Sequence, residues 1–366
     1  MKAWSIALAL AACGAEGGGA GGSAGSTSGA GAGGSGGAAG SGGTGGSGGA
    51  VWLAFAADFA AGGTCGDEPT GALGGAGCDI YRARLDPGTY AIIGIDRLTT
   101  APVPEVFPTV APGGGRVYFH TLDAMTARAM GVVDAETKAR AILLADAQYP
   151  AVLGEGARLV FTDVAQGNTL TEATLDATGT MVTARAALTA LTPAQDADAA
   201  RDGTRVVFHV PGTGAAHGVY LLDPASSEAT PITTQKGYGH CALSPSGARV
   251  VCDDASGGGL HAWDVSGASP VDAGALVADP KGVGATDPDY ATCGATSVDF
   301  PSFCDETHLA VSVSCVQLGA GITFSKVFLA DLGASPPALR ALGAEMAAQF
   351  GGPGHTSWTP SCRAEP

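Results

Sequence analysis

The segment Gly239-His240-Cys241-Ala242-Leu243-Ser244-Pro245-Ser246-Gly247-Ala248-Arg249-Val250-Val251 constrains the fold more than any other stretch, because looser copies of it recur down the chain. It reads as a short strand, a tight Pro/Gly turn and an apolar strand. Aligned on the turn, the copies run Pro108 to Phe119, Pro150 to Phe161, Ala197 to Phe208, His240 to Cys252 and Pro301 to Ser312, with a last fragment from His355 to Cys362. A period of roughly 40 to 50 residues belongs to solenoids, propellers and arrays, and four strands per unit selects a propeller.

The rest of each unit follows the same plan. An apolar strand comes after the turn (Arg116 to Phe119, Arg158 to Thr162, Arg205 to Val210, Arg249 to Asp253, Leu309 to Val313). Another strand then ends in Asp, as in Val219-Tyr220-Leu221-Leu222-Asp223, His261-Ala262-Trp263-Asp264 and Val327-Phe328-Leu329-Ala330-Asp331, and a polar turn leads to a fourth segment such as Thr230-Pro231-Ile232-Thr233. The succession is similar to the repeats of TolB-type (WD40-like) β-propellers, with their Ser-Pro-Asp-Gly turn, aromatic-aliphatic strand ending in Asp and closing Leu-Thr. Ser244-Pro245-Ser246-Gly247 and Asp202-Gly203 keep most of that turn, while the other copies have drifted. The resemblance implies an all-β fold, a single propeller.

The ends of the repeat array set the blade count. Val51-Trp52-Leu53-Ala54-Phe55 looks like the second strand of a unit lacking its first, and His355 to Pro360 looks like a first strand lacking its second. Pairing the two closes a ring of six four-stranded blades and removes sheet edges that would invite aggregation. A seventh blade would have to come from Leu276 to Ser297, which shows little strand alternation and reads as an insertion.

Composition divides the chain before that array begins. Of the 366 residues 59 are glycine, and residues 14 to 50 are almost wholly Gly, Ala, Ser and Thr. Such a stretch cannot bury enough apolar surface to offset the entropy of ordering, so a flexible tether is expected, its ends on the order of 35 Å apart. Ahead of it, Met1-Lys2 and the apolar run Ala3 to Ala12 make an export signal too short to span a bilayer. Leu10-Ala11-Ala12-Cys13 resembles the lipobox of bacterial lipoproteins. That resemblance implies cleavage before Cys13, acylation of Cys13 and, with Gly14 rather than Asp next, a place in the outer membrane, facing the periplasm or the surface. The expected organisation is a signal peptide over 1–12, a lipid-anchored linker over 13–50 and the propeller over 51–366.

Export to an oxidising compartment also accounts for the cysteines. Nine less Cys13 leaves eight, an even number suited to disulfides. Cys65 and Cys78 bracket a Gly-rich loop that a bridge would close, and Cys241 and Cys252 sit nearly opposite across a hairpin. Cys293, Cys304, Cys315 and Cys362 allow three pairings. The Cys-x-x-Cys spacing of a zinc site is absent.

Several function classes fall away. A net charge of −16, with no basic cluster, opposes nucleic-acid binding. Gly21-Gly22-Ser23-Ala24-Gly25 matches a nucleophile elbow only by lying in low-complexity sequence, and no zinc-protease, Walker or EF-hand motif occurs. No cofactor is expected. Counting five residues back from the turn proline position selects Phe107, Tyr149, Asp196, His240, Phe300 and His355, one per blade, which should gather at one end of the central channel. Their alternative role is packing beneath a plugged channel. Asp196, His240 and His355 are metal-ligand types, but the blades between them hold the two histidines apart, so no metal is expected. The expected function is a monomeric binding or scaffold module for an envelope protein, peptide or glycan. The alternative is a propeller hydrolase or lyase acting on envelope carbohydrate or peptide, its catalytic residues scattered over blades.

Overall fold

A computed structural model describes residues 49–58, 78–123, 127–212, 214–254, 259–277, 287–317, 321–334, 337–342, 346 and 359–365. The second strands of the repeats have almost no polar face. Val206-Val207-Phe208, Leu159-Val160-Phe161 and Val250-Val251-Cys252 are buried throughout, because each sheet is sandwiched between two others and both faces of its inner strands are covered. Only the outermost strands, such as Val182–Ala187 and Arg140–Ala145, are largely exposed.

The sheets are six, each of four antiparallel strands. Blade one holds β1 (Val51–Ala57), β2 (Asp79–Leu85) and β3 (Ile92–Arg97). Blade two is β4 (Glu105–Val110), β5 (Arg116–Asp123), β6 (Ala127–Asp134) and β7 (Arg140–Ala145). Blade three is β8 (Ala147–Leu153), β9 (Arg158–Asp163), β10 (Thr169–Leu175) and β11 (Val182–Ala187). Blade four is β12 (Gln195–Ala199), β13 (Val206–Val210), β14 (Gly218–Asp223) and β15 (Glu228–Thr233). Blade five is β16 (Tyr238–Leu243), β17 (Arg249–Asp254), β18 (Gly259–Asp264) and β19 (Val271–Val277). Blade six is β20 (Ala295–Phe303), β21 (His308–Gln317), β22 (Gly321–Asp331) and β23 (Ala338–Ala341). The fourth strand of blade one is β24 (Ser361–Ala364), paired antiparallel with β1 from Val51–Ala364 to Ala54–Ser361.

The ring therefore closes as the sequence predicts, but with a strand that starts later than expected. His355 to Ser357 and Trp358 lie outside the described residues, Thr359 and Pro360 lead in, and the ladder begins at Ser361. Six clusters of buried apolar residues fill the six junctions between adjacent blades, including the one that joins blade six back to blade one through Leu53, Phe55, Cys304, Ala310 and Cys362. Each junction is a small sheet-on-sheet core, so burial is shared round the ring.

Turn chemistry explains the repeat's punctuation. Ser244 N–H bonds Arg249 O at 2.8 Å and Gly247 N–H bonds Ser244 O at 2.8 Å; Ala200, Gly203 and Arg205 repeat that pattern at 3.0 Å, and Ala111, Gly114 and Arg116 at 2.9 and 3.0 Å. Gly247 has φ +71° and its absent Cβ would lie 3.2 Å from Arg205, so glycine is required there both by conformation and by space. The Asp that ends the third strand of a blade folds back over the next turn. Asp134 Oδ1 accepts from Glu136 and Thr137 N–H at 3.1 and 2.9 Å, Asp86 from Gly88 and Thr89 at 3.0 and 2.8 Å, and Asp264 from Ser266 at 2.9 Å.

The cysteines fall into place on this frame. Cys241–Cys252 is the expected cross-strand bridge. The four left open pair as Cys293–Cys315 and Cys304–Cys362. Cys78 is disulfide-bonded as well, while Cys65 and Cys13 lie outside the described residues. The stretch from Leu276 to Ser297 contributes no blade among its described residues: it finishes β19, makes a short 3-10 turn over Pro288–Thr292 and enters β20. Cys293–Cys315 and the buried Lys326 ammonium, 2.8 Å from Asp287 and 2.6 Å from Asp289, pin it to blade six.

Candidate functional site

The inner strands of blades two to six all break register at one place. Val106 pairs with His120 and Thr109 with Tyr118, leaving Phe107 and Pro108 opposite the single residue Phe119. The same extra residue occurs at Tyr149-Pro150, Asp196-Ala197 and Phe300-Pro301, and at His240 between the Gly239–Asp253 and Cys241–Cys252 pairs. These are β-bulges, which re-aim a side chain out of the pleat. The first residue of each has left-handed backbone, with φ of 50° at Phe107, 54° at Tyr149, 52° at Asp196, 27° at His240 and 51° at Phe300. A side-chain-bearing residue in this region costs about 1 to 2 kcal/mol, and aromatic residues rarely adopt it.

The effect is to point five side chains at the axis. Phe107, Tyr149, Asp196, His240 and Phe300 line one cavity of about 100 Å³ to which every blade contributes, blade one through Thr359, Pro360 and Ser361. Five of the six residues selected from the sequence are thus brought together. The sixth, His355, lies outside the described residues. From the C-terminal segment it is Thr359 that reaches the rim, its Oγ1 accepting from Phe107 N–H at 3.1 Å. The sequence signal for Thr359 is a dipeptide: Thr359-Pro360 matches Phe107-Pro108, Tyr149-Pro150 and Phe300-Pro301.

Aromatic rings make one side of the cavity. Phe107 meets Tyr149 edge-on at 4.8 Å and Phe300 at 5.9 Å, and Phe300 meets the His240 ring at 3.8 Å. Behind them the fully buried His120 ring sits 5.5 Å from Tyr149. Burial pushes the His120 imidazole down to about 3, and neither of its nitrogens has a hydrogen-bond partner among the described residues.

The other side is acidic. His240 Nδ1 lies 2.6 Å from Asp253 and Nε2 lies 3.8 Å from Asp196. Burial works against its protonation, but the charges of Asp253, Asp196 and Asp299 outweigh burial and raise it to about 9. Asp299, which accepts from Ser297 Oγ at 2.6 Å, is itself raised by burial to about 6. His209, on β13, is lowered to about 4 by burial and by its proximity to His240. The sequence does not mark Asp253, His120 and His209, because only strand pairing brings them beside the bulge residues, nor Asp299, which is next to Phe300 in the chain but meets His240 only through the packing of blade six on blade five.

Further along the axis toward the turns, a second space of about 40 Å³ is lined by Asp198, Arg201, Arg363 and the Thr109, Ser302 and Ser361 hydroxyls. Asp198, raised to about 6 by burial, accepts from Leu243 N–H at 2.9 Å, and Arg201 donates to the carbonyls of Cys304 and Ala364. Among the described residues His240 is bonded to carboxylates and not to a hydroxyl or thiol that it would activate, and no three-ligand metal set is assembled. The arrangement sets charged and polar groups beside aromatic rings in one cavity.

Six blades, a C-terminal strand completing the first of them and an axial cavity ringed by bulges can be compared with solved structures. TolB from Acinetobacter baumannii superposes with a TM-score of 0.53 at 13% identity over 86% of this chain, which spans 66% of that TolB's length. The fold is that of the TolB propellers. The protein assigned as TolB in Agrobacterium tumefaciens gives 0.52 at 14% identity, over 88% of this chain and all of that one. A chain from a nidogen/laminin complex matches the same propeller at 0.53 and 10% identity, over 85% of this chain and 98% of its own. No protein-family model and no curated protein matches the sequence. No helix among the described residues is long and apolar enough to cross a membrane.

Proposed function

We propose that the chain is a binding module of the cell envelope, anchored through acylated Cys13, spaced from the membrane by the 13–50 tether and gripping a protein, peptide or glycan partner at the axial cavity. The observation that carries this reading is the ring of five left-handed bulge residues. Strain repeated at one level in five blades, with all five side chains delivered to one cavity, is the mark of a preorganised surface. The anchor-like Cys13 context and the Gly-rich stretch behind it support presentation at a membrane. The likeness to a chain from a nidogen/laminin complex supports a role in holding another protein.

The test is capture from envelope extract with the full chain, compared with a variant carrying His240→Ala and Tyr149→Asn. Recovery of a partner by the parent and not by the variant is the expected result; equal recovery by both, or no recovery above a denatured control, overturns it. In parallel, Cys13→Ser should abolish incorporation of labelled palmitate and release the protein from membranes.

A further inference from the structure

We infer that the smaller space on the axis, between Arg201 and Arg363, is a ligand site of its own and takes one small monovalent anion, a halide ion or a carboxylate. It lies beyond the bulge-lined cavity, toward the turns, and does not rest on the binding-module reading. Charge is the first argument. Two guanidiniums line one space of about 40 Å³, Arg201 from the β12–β13 turn and Arg363 from the closing strand β24. Arginine keeps its proton at any pH the fold meets. Asp198 is the one carboxylate among the described residues that lines the space, so the two cations outnumber it whether Asp198 is ionised or not. Asp305, Glu306 and Glu365 act on Arg201 from farther off, but they accept from Tyr90, Ser246 and the Gly113 N–H, and none of them lines the space.

The protein offers these cations little in return. The Arg363 side chain is only 12% exposed, yet it makes a single hydrogen bond, from Nη2 to Gly154 O at 3.4 Å. Its buried Nε has no hydrogen-bond partner among the described residues, and Glu365 stands 3.7 Å away, beyond hydrogen-bond reach. Arg201 meets the neutral carbonyls of Cys304 and Ala364. Withdrawing a cation from water without a counter-charge is costly, and two of like sign in one space cost more. Hydroxyls complete the donor set. Ser302 Oγ accepts from Cys362 N–H at 3.0 Å and Ser361 Oγ from Val110 N–H at 3.2 Å, so each keeps its own proton to give, and Thr109 adds a third hydroxyl. A water could accept those bonds but would leave the charge uncompensated; an anion does both.

Size narrows the class. The space holds about three water-sized groups, enough for chloride or a carboxylate and too little for a phosphoryl group or a sugar. Its walls come from blades two, four and six and from β24, so an ion there ties the closing strand to the far side of the ring.

The experiment follows the line width of the chloride NMR signal in the presence of the full chain. The folded chain should broaden it beyond what the urea-unfolded chain does. Bromide and acetate, exchanged in at constant ionic strength, should remove the excess, whereas gluconate, too large for the space, should not. Displacement at lower concentration by bromide assigns a halide ion, by acetate a carboxylate. Arg363→Gln should weaken binding about tenfold or more, with near-ultraviolet circular dichroism preserved. Asp198→Asn keeps an acceptor for Leu243 N–H but removes the opposing charge, and should tighten binding roughly two- to tenfold. Arg84→Gln loses the same charge from an exposed position on blade one and should leave binding unchanged. No excess broadening over the unfolded chain overturns the proposal, as does displacement by gluconate at the concentrations that suffice for bromide or acetate. So does unchanged affinity in folded Arg363→Gln. If that variant does not fold, Asp198→Asn decides: weaker or unaltered binding overturns the site, tighter binding upholds it.

Discussion

His240 combines backbone strain, a charged partner and an aromatic neighbour at one position, and each has a measurable consequence. Its folded pKa stands above the ordinary value of 6.5, at about 9, so the stabilisation it brings is complete below pH 6.5 and is lost as pH rises through 9. Denaturant midpoints measured from pH 6 to 10 should fall over that upper range, and Asp253→Asn, which removes the nearest carboxylate, should shift the fall to lower pH. The turn-folding aspartates have the opposite sign. Asp134, whose carboxyl is held below its usual range chiefly by Thr137 N–H, stabilises the fold above pH 4, and that contribution disappears as pH falls through the lowered value. Asp134→Ala should therefore reduce stability at neutral pH and flatten the acid limb of the same titration, while leaving the alkaline limb in place.

At the scale of elements, the hairpin turns and the bulges divide the work. Turns between first and second strands depend on glycine with positive φ, and Gly247→Ala should cost about 1 to 2 kcal/mol by urea unfolding from backbone strain, plus crowding against Arg205. The second strands were legible because burial on both faces gives them continuous apolar runs, Val206-Val207-Phe208 being the clearest. The bulge positions were also legible, since counting back from a turn preserves register within one hairpin. That count fails at the C-terminus for a physical reason. Pro360 resembles either the turn proline Pro245 or the bulge proline Pro108, and only the ladder Ala54–Ser361 shows that it occupies the second role. What lies across strands or across blades was hidden: Asp253 as the partner of His240, His120 behind the aromatic rings, and the pairing of Cys304 with Cys362 all require tertiary structure.

For the whole molecule the seam between blades six and one matters most. The β24–β1 ladder completes blade one beside it, and the contacts that cross it include the Cys304–Cys362 bridge, the bond from Ala364 N–H to Cys304 O and the Arg201 guanidinium, which reaches from blade four to the carbonyls of Cys304 and Ala364. Cys304–Cys362 spans 58 residues and Cys241–Cys252 spans 11, so loop-closure entropy assigns them about 4 and about 3 kcal/mol. Replacing Cys304 and Cys362 together by serine should thus lower the unfolding free energy more than replacing Cys241 and Cys252, in guanidinium titrations under non-reducing conditions. The seam also sets a timetable. β1 is made early and β24 some three hundred residues later, so the first blade waits with a bare edge through nearly the whole of synthesis and is completed only when residue 364 arrives. Any interruption before that point leaves an open arc, and the thiol of Cys304 reports which has happened: free while the arc is open, locked once the ring has shut.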